Sequence, residues 1–253
     1  MKVGLVQYSP AWEDKKQNME KLNKLLKGKC SDEEILIFPE MALTGFTMKG
    51  NEFAEDIDGE SISYFMNLAR EYNKHVMAGI IENFDNKIYN TLFHFDNNGL
   101  ILARYRKIHL FSLSGENENY IEGDEPVITK MGKTTIGLTI CYDLRFPELY
   151  RQYAKERVDI IVNIASWPVQ RVSHWVHLLK ARAIENQCFM IGVNRVGNDP
   201  TLQYNGCSGV FDPMGKELVI QKETETIISS ELNLNLTKRT REELPFLNDM
   251  KMI

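Results

Sequence analysis

The chain has 253 residues, 43% of them hydrophobic and 26% charged, with 30 lysines and arginines against 35 aspartates and glutamates for a formal charge of −5. That balance excludes a disordered polyelectrolyte, and without a Lys/Arg-rich window it argues against a nucleic-acid partner, whose phosphates need clustered cations. The longest apolar stretches, 134–142 and 160–170, are about half the ~18–20 residues of a membrane helix, so no membrane partner is expected.

Strand patterning opens at 2–8, followed by a helical period over 13–26 and a buried strand at 34–38 that Pro39-Glu40 closes. A helix is predicted over 61–73, then strands at 75–81, 88–95 and 100–104, separated by turns at Asp85-Asn86 and Asn97-Asn98-Gly99. The second half repeats the order: strand 134–142, helix 147–156, strand 158–165, helix 172–187 and strand 189–194. Two strands then surround Asp212-Pro213-Met214-Gly215, and another covers 226–233. The first half reads β-α-β-α-β-β-β, and the second repeats that order with one strand more. Two such halves predict an α/β fold of two sheets face to face with helices outside both, a four-layer α-β-β-α sandwich. No linker or low-complexity segment divides the chain, so a single domain over 1–253 is expected. After Lys2 the apolar run is too short for a secretory leader, and Cys30, Cys141, Cys188 and Cys207 lack CxxC spacing. Reduced thiols and a cytoplasmic location are the corresponding expectations.

The stretch Thr139-Ile140-Cys141-Tyr142-Asp143-Leu144-Arg145-Phe146-Pro147-Glu148 runs an apolar strand into a cysteine, a turn and a helix that Pro147 can open without losing a needed N–H. A side chain so placed points into the crevice at the carboxyl ends of the strands, where backbone N–H groups can hold an oxyanion. The plain alternative for Cys141 is a small buried hydrophobe. A nucleophilic thiol needs a base, and none of the histidines at 75, 94, 109, 174 and 177 sits in a protease-like context. Glu40 ends the apolar run Ile35-Leu36-Ile37-Phe38 at the carboxyl edge of the sheet, where a partly buried carboxylate suits proton transfer. Lys107, embedded in Tyr105-Arg106-Lys107-Ile108-His109-Leu110-Phe111, can stabilise a thiolate or an oxyanion. Alone, Glu40 reads equally as a helix-start carboxylate and Lys107 as an exposed strand-end cation. His174 and His177 are three apart but lack further ligands, so neither metal nor cofactor is expected.

Together, Phe38-Pro39-Glu40 with Thr44-Gly45-Phe46, the segment around Lys107 and the segment around Cys141 resemble the carbon–nitrogen hydrolase family known as the nitrilase superfamily, from Val3 to about Phe246. The resemblance implies the four-layer fold and a Glu40-Lys107-Cys141 triad. It also implies a fourth site residue at Glu116, with Glu118 as the competing assignment, and a homodimer to which the 172–187 helix contributes. Asn163-Ile164-Ala165-Ser166-Trp167-Pro168-Val169-Gln170-Arg171, with His174-Trp175 and the 181–187 segment, is most similar to the omega-amidase branch. Those enzymes hydrolyse the terminal amide of 2-oxoglutaramate, so the implied partner is a small amide, cleaved to acid and ammonia through a thioester on Cys141. Tyr142 stands where true nitrilases carry a tryptophan-containing motif, which argues against nitriles. In that reading the Tyr142 N–H assists the oxyanion. Arg171 grips a distal carboxylate with its guanidinium fork, and Trp167 and Phe46 form apolar walls. An acyl transferase and a non-catalytic binding protein on the same fold are the competing functions.

Overall fold

In the computed structural model, which describes residues 1–251, alternation along each strand decides which layer its side chains join. The first half comprises β1 (Lys2–Gln7), α1 (Lys15–Lys29), β2 (Ile35–Ile37), α2 (Gly50–Phe53), α3 (Glu60–Tyr72), β3 (His75–Phe84), β4 (Lys87–Phe95) and β5 (Ile101–Arg106). Val3 and Leu5 of β1, and Ile35 and Ile37 of β2, enter the core between two sheets. Val6 and Leu36 point the other way, where Leu22 and Leu26 of α1 and Ile62, Phe65 and Leu68 of α3 cover them.

The second half adds α4 (Glu116–Asn119), β6 (Val127–Met131), β7 (Thr134–Ile140), α5 (Pro147–Lys155), β8 (Ile160–Ala165), α6 (Val172–Asn186), β9 (Phe189–Asn194), β10 (Val196–Asn198), β11 (Gln203–Phe211), β12 (Glu217–Lys222), β13 (Thr226–Glu231) and α7 (Asn235–Glu243). Its sheet runs β6-β7-β8-β9-β11-β12, and β10 continues along the first part of β11. Strands β7, β8 and β9 are parallel, in register from Ile136 opposite Ile160. Helices α5 and α6 lie close on this sheet because two glycines make room. A Cβ on Gly137 would stand 2.8 Å from the Tyr153 ring, and one on Gly192 would stand 2.4 Å from Leu179. The result is the expected α-β-β-α order, with the main core between the sheets.

The halves are less independent than their patterns predict. The strand expected over 226–233 is β13, which pairs with β1, so the other sheet runs β13-β1-β2-β3-β4-β5. Strand β6, absent from the expected order, forms a hairpin with β7 across Gly132. The strand expected to reach Tyr142 stops at Ile140, because Cys141 turns to a positive φ of 46°. Among the described residues no helix is long and apolar enough to cross a membrane.

One buried histidine makes the stability of this fold depend on pH. His94 on β4 is wholly buried, with Nδ1 2.7 Å from the Thr129 hydroxyl and Nε2 3.0 Å from Nδ1 of His75. Burial, reinforced by His75, pushes its pKa from 6.5 down to about 3. Between those values the unfolded chain binds a proton that the folded chain refuses, so stability is complete above pH 6.5 and is lost as pH falls toward 3. The loss attributable to His94 between pH 7 and 4 is about 3 kcal/mol. Urea unfolding of wild type and His94→Leu across that range should give the variant the shallower pH slope; identical slopes would exclude His94 as the cause.

Candidate active site

Three strand ends and one short helix deliver the predicted site residues. Beyond β2, residues 39–42 cross β3 at Gly79, where a Cβ would lie 2.6 Å from the Met41 nitrogen and 2.7 Å from the Glu40 Cα. The Ala42 N–H donates to the Gly79 carbonyl at 2.8 Å, and Met41 accepts a φ of 45°. Lys107 follows β5 directly, and its own N–H extends the ladder to the Asn90 carbonyl at 2.9 Å. Cys141 follows β7 and starts a tight 3₁₀ turn to Arg145, after which Pro147 opens α5. Glu116 is the first residue of α4, reached through Gly115 at a φ of 76°.

These paths place Lys107 between two carboxylates. Its Nζ lies 2.9 Å from Glu40 Oε1 and 3.0 and 2.8 Å from the two oxygens of Glu116, and all three side chains are wholly buried. Asn90 Nδ2 donates to Glu40 Oε1 at 2.8 Å and to Glu116 Oε1 at 2.9 Å. Turned over, its carbonyl would face both anions, so the amide orientation is dictated by charge. The Ser166 N–H donates to Glu40 Oε2 at 2.8 Å, and the Phe111 N–H to Glu116 Oε2 at 2.6 Å. Glu118 is exposed, and Glu116 is the one of the two that joins the cluster.

Burial and charge compete at each group. Burial disfavours the Lys107 ammonium, but Glu116 and Glu40 more than offset it and hold the pKa above the ordinary lysine value. Burial raises Glu116; Lys107 opposes that rise and Glu40 adds to it. The Cys141 thiol is pushed well above its ordinary range by burial and then by Glu40, against the pull of Lys107 and the Ser166 N–H. Cys141 is therefore a thiol at rest, and to act as a nucleophile it would need a base.

Half-buried, Cys141 opens onto a cavity of about 660 Å³ that Tyr142, Phe46, Trp167 and Arg171 also line. The Phe46 ring centre is 5.2 Å from Lys107 Nζ, so one wall of the cavity rests on the ion cluster. Arg145, a member of the cysteine motif that the sequence alone does not mark as a ligand, joins them with its guanidinium 4.6 Å over Trp167. Arg171 lies 5.5 Å over Phe111. Among the described residues no carboxylate comes within 4 Å of either guanidinium. The carboxylates in the cavity wall are already bound: Glu13 by Lys49 at 2.6 Å and the Thr47 hydroxyl, Asp199 by Tyr204 and the Thr201 and Leu202 N–H groups. The free charge of the cavity is positive. Sequence reasoning missed Asn90, whose only signal was an amide among the largely apolar residues of a strand. It also missed Ser166, whose contribution comes from the backbone.

The sequence model described as carbon–nitrogen hydrolase matches residues 2–242. A Staphylococcus aureus protein named hydrolase in agr operon is 35% identical, over 100% of this chain and 98% of its own. A 2-oxoglutaramate amidase of Bacillus subtilis is 31% identical, over 98% of this chain and 97% of its own. The crystal structure of a CN-hydrolase superfamily protein from Xanthomonas campestris, with an arsenic adduct in its active site, matches with a TM-score of 0.95 at 30% identity, covering 100% of this chain and 98% of that one.

Asn90→Ala should destabilise the protein by about 2–4 kcal/mol, because it strips one charge-assisted hydrogen bond from each of two buried carboxylates. Urea unfolding measures this, and a change under about 0.5 kcal/mol would mean that the amide does not hold the cluster together.

Proposed function

The chain belongs to the carbon–nitrogen hydrolase family, and we propose that it cleaves the terminal amide of a short dicarboxylic monoamide such as 2-oxoglutaramate, releasing ammonia and the acid. The observation that carries this reading is one cavity holding both a thiol beside a buried Glu-Lys-Glu cluster and two guanidiniums without carboxylate partners among the described residues. The thiol matches an amide carbonyl, and the guanidiniums match a carboxylate at the other end of the same small molecule.

In the proposed cycle Glu40 accepts the thiol proton as Cys141 Sγ bonds to the amide carbon. The carbonyl oxygen becomes an oxyanion, met by the Lys107 ammonium and the Tyr142 N–H, so positive charge already stands where negative charge develops. The tetrahedral intermediate collapses with cleavage of the C–N bond, Glu40 protonates the departing nitrogen, and ammonia leaves a thioester on Cys141. Water then gives a proton to Glu40 and attacks the thioester, and a second collapse returns the proton to sulfur and frees the acid. Glu116 holds Lys107 in place through both halves.

Cys141→Ala should reduce ammonia release by more than about 10⁴-fold, since the acyl group has nowhere to bind. Arg145→Ala and Arg171→Ala should each raise KM for 2-oxoglutaramate by about 10- to 100-fold, the value of one charge-assisted pair, while leaving KM for a neutral amide of equal length unchanged. Steady-state assays on the two substrates decide the matter: a specificity ratio unaltered in both arginine variants would contradict the dicarboxylic reading, and an active Cys141→Ala would contradict the mechanism.

A further inference from the structure

The turn carrying Cys141 is held by a side chain that the proposed chemistry does not use. Asp143 is wholly buried, and its two oxygens accept two donors each. Oδ2 takes the Ile140 N–H at 2.9 Å and the Tyr105 hydroxyl at 2.7 Å. Oδ1 takes the His109 N–H at 2.9 Å and lies 2.8 Å from His109 Nδ1. The His109 ring is itself fixed by stacking on Phe146, at 3.9 Å and 6° from parallel.

The chain positions of those donors matter more than their number. Ile140 immediately precedes Cys141, at the end of β7. Tyr105 and His109 stand two residues before and two after Lys107, at the end of β5. β5 and β7 belong to different sheets. A single carboxylate thus ties the segment bearing the thiol to the segment bearing the ammonium. It also supports Cys141 at a φ of 46°, a left-handed conformation that costs an L-residue about 1–2 kcal/mol.

We infer that Asp143 is a positioning residue which, through Ile140, Tyr105 and His109, fixes the separation of the Cys141 thiol and the Lys107 ammonium across the two sheets. This inference rests on the reading of Cys141 as nucleophile. Asp143 does not line the cavity, and Arg171 stands outside the turn, so the grip of Arg171 on the distal carboxylate outlasts the loss of Asp143 while the reacting sulfur is misplaced. Misplacement by about 1 Å is enough to cost on the order of 10²-fold in rate. An asparagine is no substitute: whichever way its amide turns, the NH₂ faces two donors that the carboxylate accepted.

The test compares wild type with Tyr105→Phe, His109→Ala and Asp143→Asn as full-length proteins. Three quantities are measured: thermal midpoint, kcat and KM for ammonia release from 2-oxoglutaramate, and the rate of Cys141 alkylation by iodoacetamide from about pH 6 to 10. Expected results are a kcat about 10-fold lower for Tyr105→Phe and His109→Ala, with KM within about 2-fold, and a kcat about 10²-fold lower for Asp143→Asn, whose KM rises by less than about 10-fold. The alkylation profile should move to higher pH as the thiolate loses Lys107. Should Asp143→Asn fail to fold, the two milder variants decide. Lower thermal midpoints with kcat and alkylation profile unchanged would reduce Asp143 to an ordinary structural cap and overturn the inference, leaving the nucleophile reading in place. Alkylation of wild-type Cys141 without loss of ammonia release would overturn that reading and the inference together.

Discussion

A lone ammonium taken wholly out of water would lose its proton or unfold the protein, and Lys107 is kept charged only because two carboxylates bind it. That constraint organises the rest of the site. Two anions and one cation leave an excess of negative charge, which the Asn90 amide and the backbone N–H groups of Ser166 and Phe111 absorb as hydrogen bonds. Burial first, and then the Glu40 charge, hold Cys141 as a thiol. In the proposed cycle the thiol proton passes to Glu40, so that charge moves within the cluster and none is created. In a buried site that is the less costly kind of proton transfer.

The fold supplies this arrangement because its two sheets pack with the carboxyl ends of β2, β5 and β7 along a common edge. Glu40 and Lys107 come from one sheet and Cys141 from the other. The inter-sheet core that joins Val3, Leu5 and Ile37 to Leu138 and Ile140 therefore also sets the distances of the chemistry. Backbone strain gathers at the same edge. Met41, next to Glu40, and Cys141 both adopt positive φ, and the lack of a side chain at Gly79 lets the Glu40 segment approach β3.

Much of this is legible in the sequence. The strand-helix-strand-helix-strand alternation within each half follows from local apolar periodicity, Glu40 and Cys141 stand out because a charged or reactive residue ends an apolar run, and Lys107 because it is embedded between aromatic and apolar residues at a strand end. What local pattern cannot carry is pairing between distant strands. β13 has the composition of a second-half strand, yet it hydrogen-bonds to β1 at the opposite end of the chain. Asn90 becomes a bridge only because the β4–β5 register sets its backbone opposite Lys107. Glu116 and Glu118 are alike as loop acids; the turn at Gly115 sends one into the cluster and the other to solvent. Arg171 is legible from its place after Trp167. Arg145, within the cysteine motif, is not, because its direction depends on the turn that Cys141 begins.

The most direct test of the account is to quench the enzyme with acid during turnover of 2-oxoglutaramate and locate the bound acyl group by peptide mass spectrometry. The account predicts an acyl adduct on the peptide carrying Cys141 in wild type and none when Lys107 is replaced by alanine. An acyl group attached to any other residue would contradict it.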